Sequence, residues 1–68
     1  MKHANPFHGY RLRELRKQHC LTLVLLGKLI GLHPRTIQAY EHSRMYPSDE
    51  TEQKFCQFFK VDACFFRN

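Results

Sequence analysis

Three residues, Arg35, Gln38 and Ala39, have the types and the spacing that a recognition surface needs. Residues three and four positions apart share one face of a helix, so these side chains lie side by side if the segment is helical. Arg forms a bidentate bond to guanine O6 and N7, Gln pairs with adenine N6 and N7, and the Ala methyl contacts the thymine methyl. The pattern predicts a face that reads base edges in DNA, together with Pro34; the alternative is an ordinary solvated face.

A short helix over residues 23–30 precedes this face and is predicted from its two ends. Thr22 is a good N-cap, since its hydroxyl oxygen accepts a hydrogen bond from the first turn. Gly31 suits the left-handed residue that often ends a helix. Gly27 lies where the next helix would cross, and a side chain there would hold the two helices apart.

The face itself is predicted to lie on a second helix, over residues 34–42. Pro34 fits the first helical position, where the missing N–H has no helical partner, and His33 precedes it as the cap. This is the pattern of a helix-turn-helix at about 23–42, the unit that places its second helix in the DNA major groove.

The rest of the chain predicts three more helices and no strand, so we expect an all-α, compact fold of five helices in one domain over residues 1–68. Residues 1–8 are expected to form a flexible N-terminal segment. A chain this short buries only about 60% of its extended surface, so its core is small. The predicted bounds are 10–19 for the first helix, with an alternative start at Pro6 behind an Asn5 cap, 48 or 49 to 59 for the fourth, and a short last helix capped by Asp62.

The charge of the chain favours an anionic partner. Its net charge is +5 at pH 7 and its pI is about 9.5, values that suit a nucleic acid. Residues 1–48 carry eight Lys or Arg and two acids, whereas residues 49–68 carry three Lys or Arg and four acids. A basic pI is also common in proteins whose charges are only solvated. The candidate phosphate contacts are Arg11, Lys28, His33, Thr36, Arg44 and the backbone N–H of Leu23.

Patterns of catalysis, metal binding and membrane insertion are not found in the sequence. Cys20, Cys56 and Cys64 are an odd number without CxxC spacing, so we expect reduced, packed thiols rather than bridges or a zinc site. The sequence contains no P-loop, nucleophile motif or paired carboxylates, and so indicates neither an enzyme nor a cofactor. No apolar run approaches the roughly 20 residues that span a membrane, and no secretory signal is visible, so we expect a cytoplasmic protein.

Residues 9–67 resemble the Cro/C1-type, lambda-repressor-like helix-turn-helix family of small bacterial and phage repressors. Each motif is weak alone, whereas their order and spacing together are specific for the fold. The resemblance implies a DNA-binding regulator in a bacterial or phage-infected cell. The matching parts are RLRELR at 11–16, the stretch from Leu26-Gly27 to Glu41, Arg44, Pro47-Ser48, and FFKVD near the C-terminus.

The resemblance also implies an ion pair between Arg16, near the end of the first helix, and Glu41, near the end of the recognition helix. Three features depart from the family pattern, and the first two concern single positions. Leu23 stands where the family often has Gln, so a phosphate contact there falls to the backbone N–H. Cys20 and Ser43 stand where the family commonly has Gly, so both are expected in strained backbone conformations or in turns that differ.

The predicted helix over residues 23–30, helix 2 of the five, is apolar on faces that are often polar in this family, because it carries Val24, Leu25 and Leu29. Two interpretations are open. These side chains cover the N-terminal segment with Phe7, or they meet another protein.

A dimer is expected because one recognition helix reads only about four or five base pairs. Members of the family usually bind as two-fold dimers to palindromic half-sites about one helical turn apart. Four of the six Phe residues lie in the last eleven positions, which is more than one small core needs. Phe65 is the first candidate for a dimer contact and Phe58 the second; the alternative is an overfilled core.

Three functions remain open. The first is a sequence-specific repressor, acting as a homodimer on its own promoter or on a neighbouring phage or mobile-element gene. The second is the antitoxin of a toxin–antitoxin pair, which binds DNA and also binds a partner protein through apolar helix 2 or the Phe-rich C-terminus. The third is a helix-turn-helix domain used only for protein contacts. We expect the first.

Overall fold

The computed structural model describes residues 6–68, which contain helices and short connections but no strand. Among these residues, no helix is both long enough and apolar enough to cross a membrane. The expected all-α fold of five helices is confirmed, whereas the Asn5 cap lies outside the described residues. The helices are α1 Gly9–Gln18, α2 Leu23–Ile30, α3 Pro34–Glu41, α4 Asp49–Phe59 and α5 Ala63–Arg67.

Local hydrogen bonds set the ends of the helix-turn-helix, as predicted. The hydroxyl oxygen of Thr22 accepts from the N–H of Leu25 at 3.0 Å, and Gly31 ends α2 in the left-handed region with φ of 81°. Nδ1 of His33 accepts from the N–H of Arg35 at 3.1 Å and caps α3. The predicted bounds of α2 are confirmed, and α3 ends one residue earlier than predicted.

The core draws side chains from all five helices and from one residue that precedes α1. Phe7 is buried and stacks on Phe66 of α5, with 4.9 Å between ring centroids. The N–H of His8 donates to the carbonyl oxygen of Phe66 at 2.7 Å. Residues 6–8 therefore lie outside a helix, and the alternative start of α1 at Pro6 is wrong. The core residues are Phe7, Leu12, Leu15, Leu26, Ile37, Tyr40, Phe55, Cys56, Phe59 and Phe66.

An ion pair between Arg16 and Glu41 ties α1 to α3, which confirms the pairing implied by the family resemblance. Nε of Arg16 lies 2.7 Å from one carboxylate oxygen of Glu41, and Nη2 lies 3.1 Å from the other. Nη1 donates to the carbonyl oxygen of Leu21 at 2.8 Å. The Glu41 side chain is only 2% exposed, so this bidentate pair is the electrostatic anchor of α3.

A second bidentate ion pair, which the sequence pattern does not reveal, ties α5 to α4. Nε and Nη2 of Arg67 donate to the two carboxylate oxygens of Glu52 at 2.9 and 2.8 Å. Hydrogen bonding to Glu52 raises the pKa of Arg67 above its ordinary value. The last turn of the short helix α5 is therefore held by charge as well as by Phe66.

Two glycines allow backbone segments to approach more closely than a side chain permits. A Cβ at Gly27 would collide with the carbonyl oxygen of Leu32 and lie 3.5 Å from Cδ of Pro34, the first residue of α3, so α2 and α3 approach closely at Gly27 as predicted. A Cβ at Gly9 would lie 2.6 Å from the carbonyl oxygen of Glu41 and still closer to that of Tyr40. The start of α1 therefore packs directly on the end of α3.

Three connections between helices contain a non-glycine residue in the left-handed region, where L-residues are disfavoured. Cys20 has φ of 57° and Ser43 has φ of 59°, which confirms the strained conformations expected at these positions. Lys60 ends α4 in the same way, with φ of 58°. These turns store conformational strain that glycine would release.

Replacing Ser43 with glycine should raise the free energy of unfolding by about 0.5–1 kcal/mol, because relief of left-handed strain outweighs the entropy cost of glycine. Cys20→Gly should act in the same direction. Urea denaturation monitored by circular dichroism measures both effects. The matched control is Gln57→Gly, on the exposed side of α4, which should lower stability by about 1 kcal/mol. A loss of stability in Ser43→Gly would contradict the assignment of strain to this turn.

The cysteines are free thiols, but they differ in burial. Burial raises the pKa of Cys56, and the charges of Glu52 and Asp62 raise it further, so this residue is a neutral thiol within the core. Cys20 and Cys64 are exposed. The expectation of packed cysteines therefore holds for Cys56 and is wrong for the other two, which lie on turns or helix faces that point to solvent.

Candidate nucleic-acid interface

The predicted reading residues lie together on the outer face of α3. Arg35 and Gln38 are exposed, while Pro34 and Ala39 are partly buried. This arrangement follows from the register of the helix, whose opposite face is in the core. The buried residues of α3 are Ile37, Tyr40 and Glu41. A rigid inner face thus holds an outer face that carries a guanidinium, an amide and a methyl group.

The loop after α3 folds back on the end of this face. The N–H groups of Arg44 and Met45 both donate to the carbonyl oxygen of Ala39, at 2.9 and 3.3 Å. Arg44 is exposed at this point. The structure therefore brings this candidate phosphate contact next to the C-terminal end of the reading residues.

The N-terminus of α2 offers backbone N–H groups, as expected from Leu23. Thr22 accepts from Leu25 through its side chain and from Leu26 through its carbonyl oxygen at 2.9 Å. The N–H groups of a first helical turn have no acceptor within their own helix, and such an end binds phosphate. Lys28 is exposed on the last turn of α2 and adds a positive charge.

His33 and Thr36 flank the start of the reading face. His33 is exposed, and its Nδ1 accepts the capping hydrogen bond from Arg35. A neutral ring that accepts at Nδ1 carries its hydrogen on Nε2, and Nε2–H is a donor that suits a phosphate oxygen. Thr36 is partly buried one turn into α3.

Arg11 is placed differently from the other candidate phosphate contacts. Its guanidinium lies 5.3 Å from the ring centroids of both Tyr10 and Phe65, and Nη1 lies 3.9 Å from a carboxylate oxygen of Glu14. Arg11 thus belongs to the surface shared by α1 and α5, where Phe65 is the candidate dimer contact.

The Phe-rich end contains buried and accessible rings. Phe58 is 37% exposed and lies edge-on to Phe59, with 4.9 Å between centroids. Phe65 is partly buried and lies edge-on to Phe66 at 5.5 Å. Both candidate dimer residues therefore keep part of their rings at the surface, while their neighbours fill the core.

The outer side of α2 is apolar and open to solvent. Val24, Leu25 and Leu29 are 55%, 43% and 54% exposed. Phe7 packs on Phe66 instead, so the interpretation that these side chains cover the N-terminal segment with Phe7 is wrong. The physical reason is that an aromatic partner in the core buries Phe7 fully, and the surface of α2 is left uncovered by the described residues.

The sequence places His42 on the same helix face as Arg35, Gln38 and Ala39 but does not predict it as a site residue. It is exposed, follows Gln38 by one helical turn, and has Nδ1 3.1 Å from the carbonyl oxygen of Gln38. His42 follows Arg35 by seven positions and Gln38 by four, and this spacing indicates that all three side chains share one helix face.

The exposed groups of this surface are mostly cations and hydrogen-bond donors. The surface combines cations, an amide and backbone donors, which bind phosphate and base edges. In the part of the chain that the structure describes, no group of three or more His, Cys, Asp or Glu side chains is placed to hold a metal ion.

Comparison with known proteins agrees with this geometry. A protein-family model described as helix-turn-helix matches residues 12–66. No curated protein and no solved structure matches the chain significantly. The family match covers most of the chain, with all of α2, α3 and α4 and part of α1 and α5, and α2 and α3 have the predicted turn between them. The chain belongs to the Cro/C1-type helix-turn-helix family of DNA-binding transcription regulators.

Proposed function

We propose that this protein is a sequence-specific repressor that binds double-stranded DNA as a homodimer on a palindromic operator. The observation that carries the proposal is the outer face of α3, where Arg35 and Gln38 are exposed and Ala39 lies beside them. The Arg16–Glu41 pair holds the opposite side of the same helix. A fixed helix with a polar outer face is the arrangement that direct readout of the major groove requires.

The roles divide between positioning and reading. Arg44, Lys28, His33, Thr36 and the first-turn N–H groups of α2 hold phosphates and set the register on the duplex. Arg35, Gln38, Ala39 and Pro34 face the bases. Repression follows from occlusion of a promoter, including the protein's own or that of a neighbouring phage or mobile-element gene.

The proposed dimer places two reading helices about one helical turn apart. Phe65 and Phe58 support it, because both rings are partly accessible at the C-terminal end. The guanidinium of Arg11 lies over the ring of Phe65, so Arg11 would join this interface.

Selection of bound duplexes from a random DNA pool tests the proposal. We expect the most enriched sequence to be palindromic, with half-sites whose centres lie about ten base pairs apart. Its affinity should fall steeply with salt, because Lys and Arg release counterions from phosphates. Failure to enrich any sequence, with only weak, uniform binding, would contradict a sequence-specific regulator.

Arg35→Ala and Arg44→Ala form a matched pair of variants, since both remove one exposed guanidinium. Arg35→Ala should cost about 1–3 kcal/mol on the selected duplex and relax the preference at one base pair. Arg44→Ala should weaken all sequences similarly and lower the salt slope by about one. Fluorescence anisotropy on the selected duplex and on a mixed-sequence duplex measures both. Equal losses on the two duplexes for Arg35→Ala would contradict its base-reading role.

The antitoxin of a toxin–antitoxin pair is the second candidate function. The exposed side chains of Val24, Leu25 and Leu29 favour it, because such an apolar helix face fits a partner protein. A repressor acting alone should dimerise stably and bind DNA strongly. An antitoxin should bind DNA weakly alone and tightly with its partner, so sedimentation and DNA affinity of the purified chain separate the two.

A further inference from the structure

We propose that His42 is an additional phosphate contact and that DNA binding takes up a proton at its imidazole ring. The inference rests on the proposed DNA-binding function and deepens it. It adds a residue to the interface and makes the affinity of the interface dependent on pH.

The hydrogen bond of His42 determines which ring nitrogen is available. Nδ1 lies 3.1 Å from the carbonyl oxygen of Gln38, and a carbonyl oxygen is only an acceptor. Nδ1 must therefore carry a hydrogen, and in the neutral ring Nε2 is a bare acceptor. A bare nitrogen repels a phosphate oxygen, whereas a protonated Nε2 donates to it and adds a positive charge. Contact with phosphate thus requires the charged ring.

The other end of α3 carries a histidine with the opposite arrangement. Nδ1 of His33 accepts from the N–H of Arg35, so the neutral ring already presents Nε2–H as a donor. His33 can bind phosphate without taking up a proton. Protonation at Nδ1 would instead remove the capping bond and place a positive charge at a helix N-terminus, where cations are disfavoured. The two histidines therefore differ in their coupling to pH.

The surroundings of His42 favour its charged form when DNA is bound. His42 is the C-cap of α3, and a cation is stabilised at a helix C-terminus. The charge of the adjacent Glu41 is matched by Arg16 from α1. Arg44 follows in the loop, and the backbone of Gly9 at the start of α1 packs against the carbonyl oxygens of Tyr40 and Glu41. A phosphate placed here would carry one negative charge next to the charges of His42 and Arg44.

Titration calorimetry and anisotropy at several pH values test the inference on the wild-type protein and two variants. The probes are the selected duplex and a mixed-sequence duplex, because a phosphate contact does not depend on sequence. Between about pH 8 and about pH 6, where imidazole changes its charge, the wild-type affinity should increase about three- to tenfold on both duplexes. Calorimetry in buffers of different ionisation enthalpy should show net proton uptake.

His42→Asn should remove most of this pH dependence and of the proton uptake. His33→Asn is the matched control: Asn retains a capping acceptor, so the pH dependence should remain. Equal pH dependence in wild type and His42→Asn would overturn the inference and leave the proposed function intact. The absence of DNA binding at every pH would instead contradict the proposed function, and this inference with it.

Discussion

Replacing Arg16 with methionine should lower the free energy of unfolding by about 3–5 kcal/mol. The substitution keeps an unbranched side chain of similar length but leaves the carboxylate of Glu41, which is 2% exposed, without its partner. It also removes the hydrogen bond to the carbonyl oxygen of Leu21. A domain of this length has a total stability of only about 3–10 kcal/mol, so much of the variant should be unfolded at 37 °C. Urea denaturation in the presence of a stabilising osmolyte measures the loss.

The double variant Arg16→Met/Glu41→Leu separates the cost of an unpaired charge from the cost of lost packing. Because both charges are removed together, most of the lost stability should return. A loss below about 1 kcal/mol in Arg16→Met would mean that the pair behaves as a surface salt bridge. A double variant no more stable than Arg16→Met would show that packing, rather than charge, holds α1 to α3.

Replacing Gly9 with alanine should lower the free energy of unfolding by about 2–3 kcal/mol, although alanine is the better helix former. The added methyl would overlap the carbonyl oxygens of Tyr40 and Glu41. These are backbone atoms at the end of α3, so the clash is relieved only if α1 and α3 separate. Thermal denaturation followed by circular dichroism measures the shift. DNA affinity should fall as well, since the last turn of the reading helix is displaced.

Gly31→Ala is the matched control for this experiment. It adds the same methyl group where no heavy atom lies within 4 Å of the new carbon, but the residue has φ of 81°. Its cost should be about 1 kcal/mol, from backbone strain alone. If Gly9→Ala were no more destabilising than Gly31→Ala, the close approach of α1 to α3 would not constrain the fold.

Helix ends in the helix-turn-helix were predictable because their signals are local. Thr22 and His33 cap the helix that follows each of them, and Gly31 ends α2 through its own backbone. The outer face of α3 followed from spacing alone, since helical register places Arg35 and Gln38 together. Asp62 stands at the predicted N-cap of α5, but its side chain makes no capping hydrogen bond. The start of α5 was therefore predictable from the sequence, although the capping hydrogen bond of Asp62 was not.

Features that depend on distant partners were not predictable in this way. Glu52 and Arg67 are 15 positions apart, and no helical spacing links them. The need for glycine at position 9 follows only from the packing of the start of α1 against the end of α3. Phe7 falls within the segment that was expected to be flexible, but its ring stacks on Phe66 and is buried. By contrast, Arg16 and Glu41 could be paired only because the resemblance to a known family supplied the long-range contact.

The stacking of Phe7 on Phe66 has a consequence for how a cell makes this protein. A ribosome releases the chain from its N-terminus, so the reading helix leaves the ribosome before the aromatic partner of Phe7 does. The core closes only when α5 is free to fold back on the first turn of α1. Binding of DNA is therefore expected only after residue 66 has left the ribosome and Phe66 can pack on Phe7.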